Sequence, residues 1–186
     1  MTDAIRLRAA TPDDEPFLIE LRKLTMTAHL ERAGEPVDDE SHRLRARSNL
    51  HIAQVVCCNG ENIGLIKLVR SETDWHLQQI QILPGYQGRG TGTAVIRAML
   101  GEAHQAHVTV SLSVLHGNPA RRLYERLGFQ VTGTTSIELE MTAGLSIAKR
   151  IIESHRIIFA SFPVDRMAID VTINALASSP RHEGLQ

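Results

Sequence analysis

Three glycines stand at alternate positions, Gly88, Gly90 and Gly92, in the run ILPGYQGRGTGTAVIRAML. An apolar, strand-like segment precedes them and a helical pattern follows. Backbone N–H groups at a helix start lack intrahelical partners and carry partial positive charge. Glycine lets an anion approach them without hindrance from a Cβ. The segment therefore reads as an anion cradle, to which Gln87 and Arg89 add side-chain donors. A plain glycine-rich turn is the alternative. Two other phosphate loops do not fit. No G-x-x-x-x-G-K-[ST] occurs, and the third residue after Gly90 is Thr93, not the glycine of a dinucleotide fingerprint.

Other reactive side chains form no constellation. His104 and His107 share a helical face without a carboxylate or cysteine at ligand spacing, so no metal site is expected. Ser111 and Ser113 lack the G-x-S-x-G elbow of serine hydrolases. Cys57 and Cys58 are adjacent, with Cα atoms about 3.8 Å apart, closer than disulfide partners usually lie. They are expected to be packed thiols.

Positioning these groups requires a mixed set of elements. IRLRA reads as a first strand. Thr11 as cap, Pro12 at the first helical position and Asp13, Asp14 and Glu15 open a helix whose core face carries Phe17, Leu18, Leu21, Leu24 and Ala28. Residues 31–49 are polar and read as a loop and a second helix. Asn59-Gly60 between apolar runs predicts a hairpin. In the next run the apolar parity changes, from Trp75 and Leu77 to Ile80 and Ile82, which predicts a β-bulge. A helix carrying Val95, Ile96, Met99, Leu100, Ala103 and Ala106 follows, then the alternating strand VTVSLSVL, the helix of NPARRLYERLGF, and two last strands, FQVTG and SIELEM. The order is α/β with a mixed sheet. The expected division is a domain over residues 1–141 and an extension over 142–186. Within the extension AGLSIAKRIIESH reads as a helix, MAIDVTINAL as a strand and the end as disordered. It could pack on the domain, pair with another copy in a homodimer, or serve as an interaction arm.

The 186 residues suffice for a substantial core, and 42% hydrophobic with 22% charged content is ordinary for a soluble protein. A net charge of -1 and a pI near 6.8 give no argument for nucleic acid as a partner. No run reaches membrane-span length and the start lacks a signal-peptide core. No membrane association and a cytoplasmic location are expected.

Gln87, Gly90 and Gly92, approached through a proline turn, together with Asn118, Tyr124 and Gly128-Phe129 in the late helix segment, resemble the GNAT superfamily of acyl-CoA-dependent N-acetyltransferases. The resemblance covers about residues 5–141. It implies a GNAT-like fold with splayed central strands and direct transfer of acetyl from acetyl-CoA to a primary amine. The main chain of Ile82 and Leu83 would hold the pantetheine arm and acetyl carbonyl. Gln87, Gly88, Arg89, Gly90, Thr91, Gly92 and Thr93 would hold the pyrophosphate. Tyr124 would donate to the departing sulfur, its alternative being an aromatic core residue. Asn118 stands six residues before Tyr124, one fewer than in many relatives. Arg121, Arg122 and Arg126 are available to phosphates or to solvent. His76 falls where some relatives carry a base. An exposed strand histidine is the alternative, and Asp74 and Glu72 are nearby carboxylates. Acceptor contacts are expected from residues 26–47 and 134–141. A non-catalytic acyl-CoA-binding module is the rival reading.

Overall fold

The computed structural model describes residues 5–144. In chain order the elements are β1 (Ile5–Ala9), α1 (Glu15–Ala33), α2 (Asp39–Arg47), β2 (Ala53–Cys58), β3 (Glu61–Arg70), β4 (Asp74–Ile82), α3 (Thr91–Gln105), β5 (Thr109–Leu115), α4 (Arg121–Arg126), β6 (Gln130–Thr134) and β7 (Glu138–Ala143). The strands form one sheet in the order β1-β2-β3-β4-β5-β7-β6. Every neighbouring pair is antiparallel except β4 and β5, which are joined through α3 and run parallel. β7 continues two residues past the expected boundary at 141, pairing Ala143 with Val110. The helix, strand and disordered end expected in the extension otherwise lie outside the described residues. Among the described residues no helix is long and apolar enough to cross a membrane.

The hairpin turn forms as its residues dictate. Asn59 and Gly60 both take positive φ, 51° and 89°, the turn that matches strand twist. Cys57 and Cys58 form no disulfide, and Cys58 is buried in the core. At the first helix Thr11 is the N-cap, as expected, in a capping box with Asp14. The Asp14 carboxylate receives the Thr11 N–H at 2.8 Å and Oγ–H at 3.1 Å, and both ends of the Arg8 guanidinium. The expected stripe on α1 shifts. Leu18, Leu21 and Leu30 are buried and Phe17 is half-buried, but Leu24 is 53% exposed and Ala28 is exposed too. Arg22 is buried in their place, because α2 packs along the flank of α1.

Two cores flank the sheet. The larger places Val95, Ile96, Met99, Leu100 and Ala103 of α3, with Tyr124 and Leu127, against Ile66, Leu68, Trp75, Leu77, Val110 and Leu112. The smaller joins Leu18 and Leu21 of α1 to Leu65, Ala53 and Ala46. Alternation along β3 sends Leu65 toward α1, and Ile66 and Leu68 toward α3.

The predicted bulge is present. Lys67 pairs with Gln79 and Leu68 with Leu77, so Gln78 is the extra residue in β4. Beyond it, Ile80 and Ile82 pack with the α3-side core, as Trp75 and Leu77 do before it. Close approach of β3 and β4 requires a residue without a side chain. A Cβ on Gly64 would lie 2.4 Å from the Gln81 carbonyl oxygen and 2.7 Å from Ile82 Cδ1. Gly64→Ala is expected to destabilise the protein by about 1–3 kcal/mol through strand displacement. Gly101→Ala, in α3 with nothing within 4 Å, is expected to stabilise it by roughly 0.5–1 kcal/mol. Urea denaturation of both variants checks the pair, and an unchanged midpoint for Gly64→Ala would contradict the packing described.

Candidate active site

β4 and β5 pair only over Asp74–Thr109, Trp75–Val110, His76–Ser111 and Leu77–Leu112. From the Gln78 bulge onward β4 stays with β3, while β5 stays with β7 as far as Leu115–Glu138. The two central strands part, and a cavity of about 720 Å³ opens between them. Its wall includes Ile80, Gln81 and Ile82 from β4, Leu115 from β5, Thr25, Met26 and His29 from α1, the glycine loop, and Asn118, Tyr124 and Arg126 around α4.

The Leu83 N–H donates to the Ile63 carbonyl at 2.8 Å and its own carbonyl accepts from Tyr86 N–H at 2.8 Å. Leu83 is therefore committed on both sides, contrary to its expected ligand role. Antiparallel ladder bonds fall on every second residue. The Leu83–Ile63 bond accordingly turns the main chain of Gln81 toward β3 and that of Ile80 and Ile82 toward the gap. The Ile82 carbonyl accepts from Gln87 Nε2 at 2.7 Å, so the Gln87 side chain braces the loop onto β4. The Ile82 N–H remains directed at the gap.

Gly88 and Gly90 take φ values of 71° and 85°, and Gly90 caps α3 in the left-handed conformation. The first helical bond is Ala94 N–H to the Gly90 carbonyl. The six consecutive amides of Gly88, Arg89, Gly90, Thr91, Gly92 and Thr93 have no acceptor among the described residues. The Thr91 hydroxyl donates to the Tyr86 carbonyl and fixes the loop's return. Arg89 lies over the Tyr86 ring, 5.7 Å from its centroid, and does not line the cavity.

Tyr124 lines the cavity yet is fully buried. Its ring meets Phe129 edge-on at 5.8 Å, and its hydroxyl has no hydrogen-bond partner. Burial pushes its pKa well above the ordinary value, so the phenol keeps its proton at neutral pH. Asn118 lines the wall and its Oδ1 accepts the Ala120 N–H at 2.9 Å. Arg126 reaches the cavity, whereas Arg121 pairs with Glu125 and Arg122 is exposed. His76 lies in the closed half of the β4–β5 ladder, outside the cavity lining, with Nδ1 2.9 Å from Ser111 Oγ. The Ser111 hydroxyl also lies 3.4 Å from the Trp75 carbonyl. Burial lowers the pKa of the His76 ring, so it is neutral at pH 7. Asp74 and Glu72 are exposed near the start of β4 and do not line the cavity.

Sequence reasoning missed Thr25, Ile80 and Gln81. Gln81 is 5% exposed, and neither atom of its amide has a partner. The parity slip in β4 marks the place where Ile80 and Gln81 could have been found. Met26 and His29 fall in the range 26–47 expected to contact an acceptor, whereas residues 134–141 do not line the cavity.

Residues 49–131 match the family model for an acetyltransferase (GNAT) domain. Over that span the chain is similar to the GNAT acetyltransferases. The matched span runs from before β2 into β6 and contains the glycine loop, the gap and Tyr124. Uncharacterized N-acetyltransferases of Mycobacterium bovis and Mycobacterium tuberculosis are 32% identical over 84 residues, 44% of this chain. The chain spans about half the length of these curated relatives, 54% of each. The ribosomal-protein-S18-alanine N-acetyltransferase of Escherichia coli is similar in fold, with a TM-score of 0.59 at 18% identity over 76% of this chain and 94% of that one. PaiA N-acetyltransferase of Thermoplasma acidophilum, solved in complex with coenzyme A, gives 0.58 at 19% identity over 76% and 99%. The parted strands are the GNAT-like feature that the sequence resemblance implied.

The orphaned phenol has a measurable signature. A buried polar group without a partner costs about 1–3 kcal/mol. Tyr124→Phe is therefore expected to leave the ligand-free protein as stable as the parent or up to about 1 kcal/mol more stable. Urea denaturation checks this, and a loss above about 1 kcal/mol would reveal a hydroxyl partner.

Proposed function

We propose that this protein is an N-acetyltransferase that moves an acetyl group from acetyl-CoA to a primary amine by direct attack. The observation that carries the reading is the coincidence, in one cavity, of unpaired strand amides, an unpaired helix-start loop and an orphaned phenol. Each is a donor lacking an acceptor, and together they fit the polar groups of an acyl-CoA: peptide-like carbonyls, a pyrophosphate and a sulfur.

Acetyl-CoA, when bound, supplies an activated acetyl thioester. The amides of Gly88, Gly90, Thr91, Gly92 and Thr93 hold the pyrophosphate through unscreened N–H dipoles. Arg126 adds charge from α4. Arg89 is left to screen the loop from outside, and Gln87 acts by fastening the loop. The gap-facing main chain of Ile80 and Ile82 pairs with the pantetheine arm, and the Ile82 N–H is placed to stabilise negative charge on the acetyl oxygen. Asn118 shapes the turn that presents α4. Tyr124, kept protonated by burial, donates to the departing sulfur.

The acceptor enters from the α1 side, past Thr25, Met26 and His29. Gln81 Oε1 accepts a hydrogen bond from the attacking amine and orients its lone pair. An alkyl ammonium has a pKa near 10.4 and must lose a proton first. His76 can receive that proton only through water, because its ring lies outside the cavity lining.

The test is release of free CoA thiol with a panel of amines, alongside a melting curve with acetyl-CoA. A melting shift without amine-dependent thiol release would leave a non-catalytic acyl-CoA-binding module. Absence of both would end the acyl-CoA reading. Tyr124→Phe is expected to lower kcat by roughly 10²-fold while leaving acetyl-CoA affinity near the parent's. Unchanged turnover removes Tyr124 from the mechanism. For His76→Ala, a water relay predicts loss of the acid limb in the pH profile of kcat/KM. Curves that superimpose on the parent's eliminate the histidine.

A further inference from the structure

Between α1 and α2 lies a second cavity, of about 230 Å³, and a cation faces it without a counter-charge. Arg22 is 4% exposed and its Nε–H has no partner. Among the described residues its guanidinium has no hydrogen bond and no carboxylate at ion-pair distance. Its charged influence is a like one, Arg45, which also lines the cavity. Burial, with Arg45 adding to it, pulls the Arg22 pKa down to about 10, so the charge persists at pH 7.

A second buried group points the same way. His42 is 1% exposed, lines the cavity, and its Nδ1 has no partner, while Nε2 lies 3.4 Å from Thr27 Oγ1. Burial lowers the His42 pKa, and Arg22 and Lys23 lower it further against the opposing pull of Asp39 and Asp38. Glu35 is the one carboxylate in the lining, and it forms no ion pair with Arg22.

An unpaired buried cation is strongly destabilising. A guanidinium presents a rigid fork of donors that matches a carboxylate or phosphate bidentately. The cavity exceeds the roughly 30 Å³ share of one water, leaving room for such a group and part of the molecule carrying it. We propose that the α1–α2 cleft is an oxyanion-binding site, anchored by Arg22, with Arg45 adding charge and His42 as a flanking donor, for the carboxylate or phosphate of a ligand. α1 supplies Arg22 to this cleft and Met26, one turn on, to the larger cavity. The site stands whether or not the acetyl-transfer reading does.

The probes are malonate and inorganic phosphate, each against sodium chloride of equal ionic strength. A probe at ten times its Kd is expected to raise the parent's Tm by about 3–6 °C. In 15N-labelled protein the perturbed signals should centre on Arg22, His42 and Arg45. The tighter probe identifies the carboxylate or the phosphate as the preferred group. Arg22→Met should abolish these effects and, without added anion, melt no lower than the parent, since it removes an unpaired charge. If Arg22→Met does not fold, Arg22→Lys, which keeps the charge and loses the fork, should weaken the probe about tenfold or more. Perturbation confined to Gly88, Gly90 and Gly92 would overturn the proposal, as would no Arg22-dependent shift with either probe. Equal destabilisation by Arg22→Met and Glu35→Gln would overturn it too, by making Glu35 the internal partner.

Discussion

β4 and β5 are bonded for four residue pairs and then released, and the geometry of the large cavity depends on where that release falls. Below it, Trp75, Leu77, Val110 and Leu112 lie in the core under α3 and hold the parallel pair closed. Above it, each strand is kept by its other neighbour, β4 by β3 and β5 by β7. The extra residue, Gln78, marks the transition. A bulge bends its strand and increases local twist, so one inserted residue converts continuous pairing into divergence. Gly64 completes the arrangement by letting β3 press against the β4 backbone at Gln81 and Ile82.

Polar groups without protein partners line this opening. The six loop amides, the Tyr124 hydroxyl and the Gln81 amide all lack acceptors or donors within the protein. In a folded chain most buried polar groups are paired, so the Tyr124 hydroxyl and Gln81 amide are a local deficit that the surrounding core must offset, whereas the amides of Gly88, Arg89 and Gly90 belong to exposed residues. The burial that orphans Tyr124 also keeps it protonated, so one environment sets both its cost to the fold and its capacity to donate.

Much of this was legible before any coordinates. Strands and helices followed from periodicity, the hairpin from Asn59-Gly60, and the bulge from the change of parity between Leu77 and Ile80. The glycine loop read as an anion cradle or a plain turn, and Tyr124 was singled out by the resemblance to the GNAT superfamily and not by its spacing. What could not be read was direction. Whether Ile82 or Leu83 faces the gap depends on the hydrogen-bond phase of the β3–β4 ladder, which is fixed by the Leu83–Ile63 bond and not by side-chain type. Gln87 looked like a donor to a ligand, but its reach to the Ile82 carbonyl depends on the turn between them. Leu24 is exposed and Arg22 buried because α2 covers the flank of α1, and a single-helix pattern contains no information about its neighbour.

Strand edges normally occur at the rim of a sheet, where charge, brevity or a covering segment discourages adhesion to other chains. The parting of β4 from β5 creates such an edge in the middle of the sheet, apolar on one side through Ile80 and Ile82 and flanked by well-ordered neighbours on both sides. A slender molecule laid along it would stand in for the absent strand and withdraw its peptide groups from any rival chain. Occupancy of the cleft would then double as protection against misassembly.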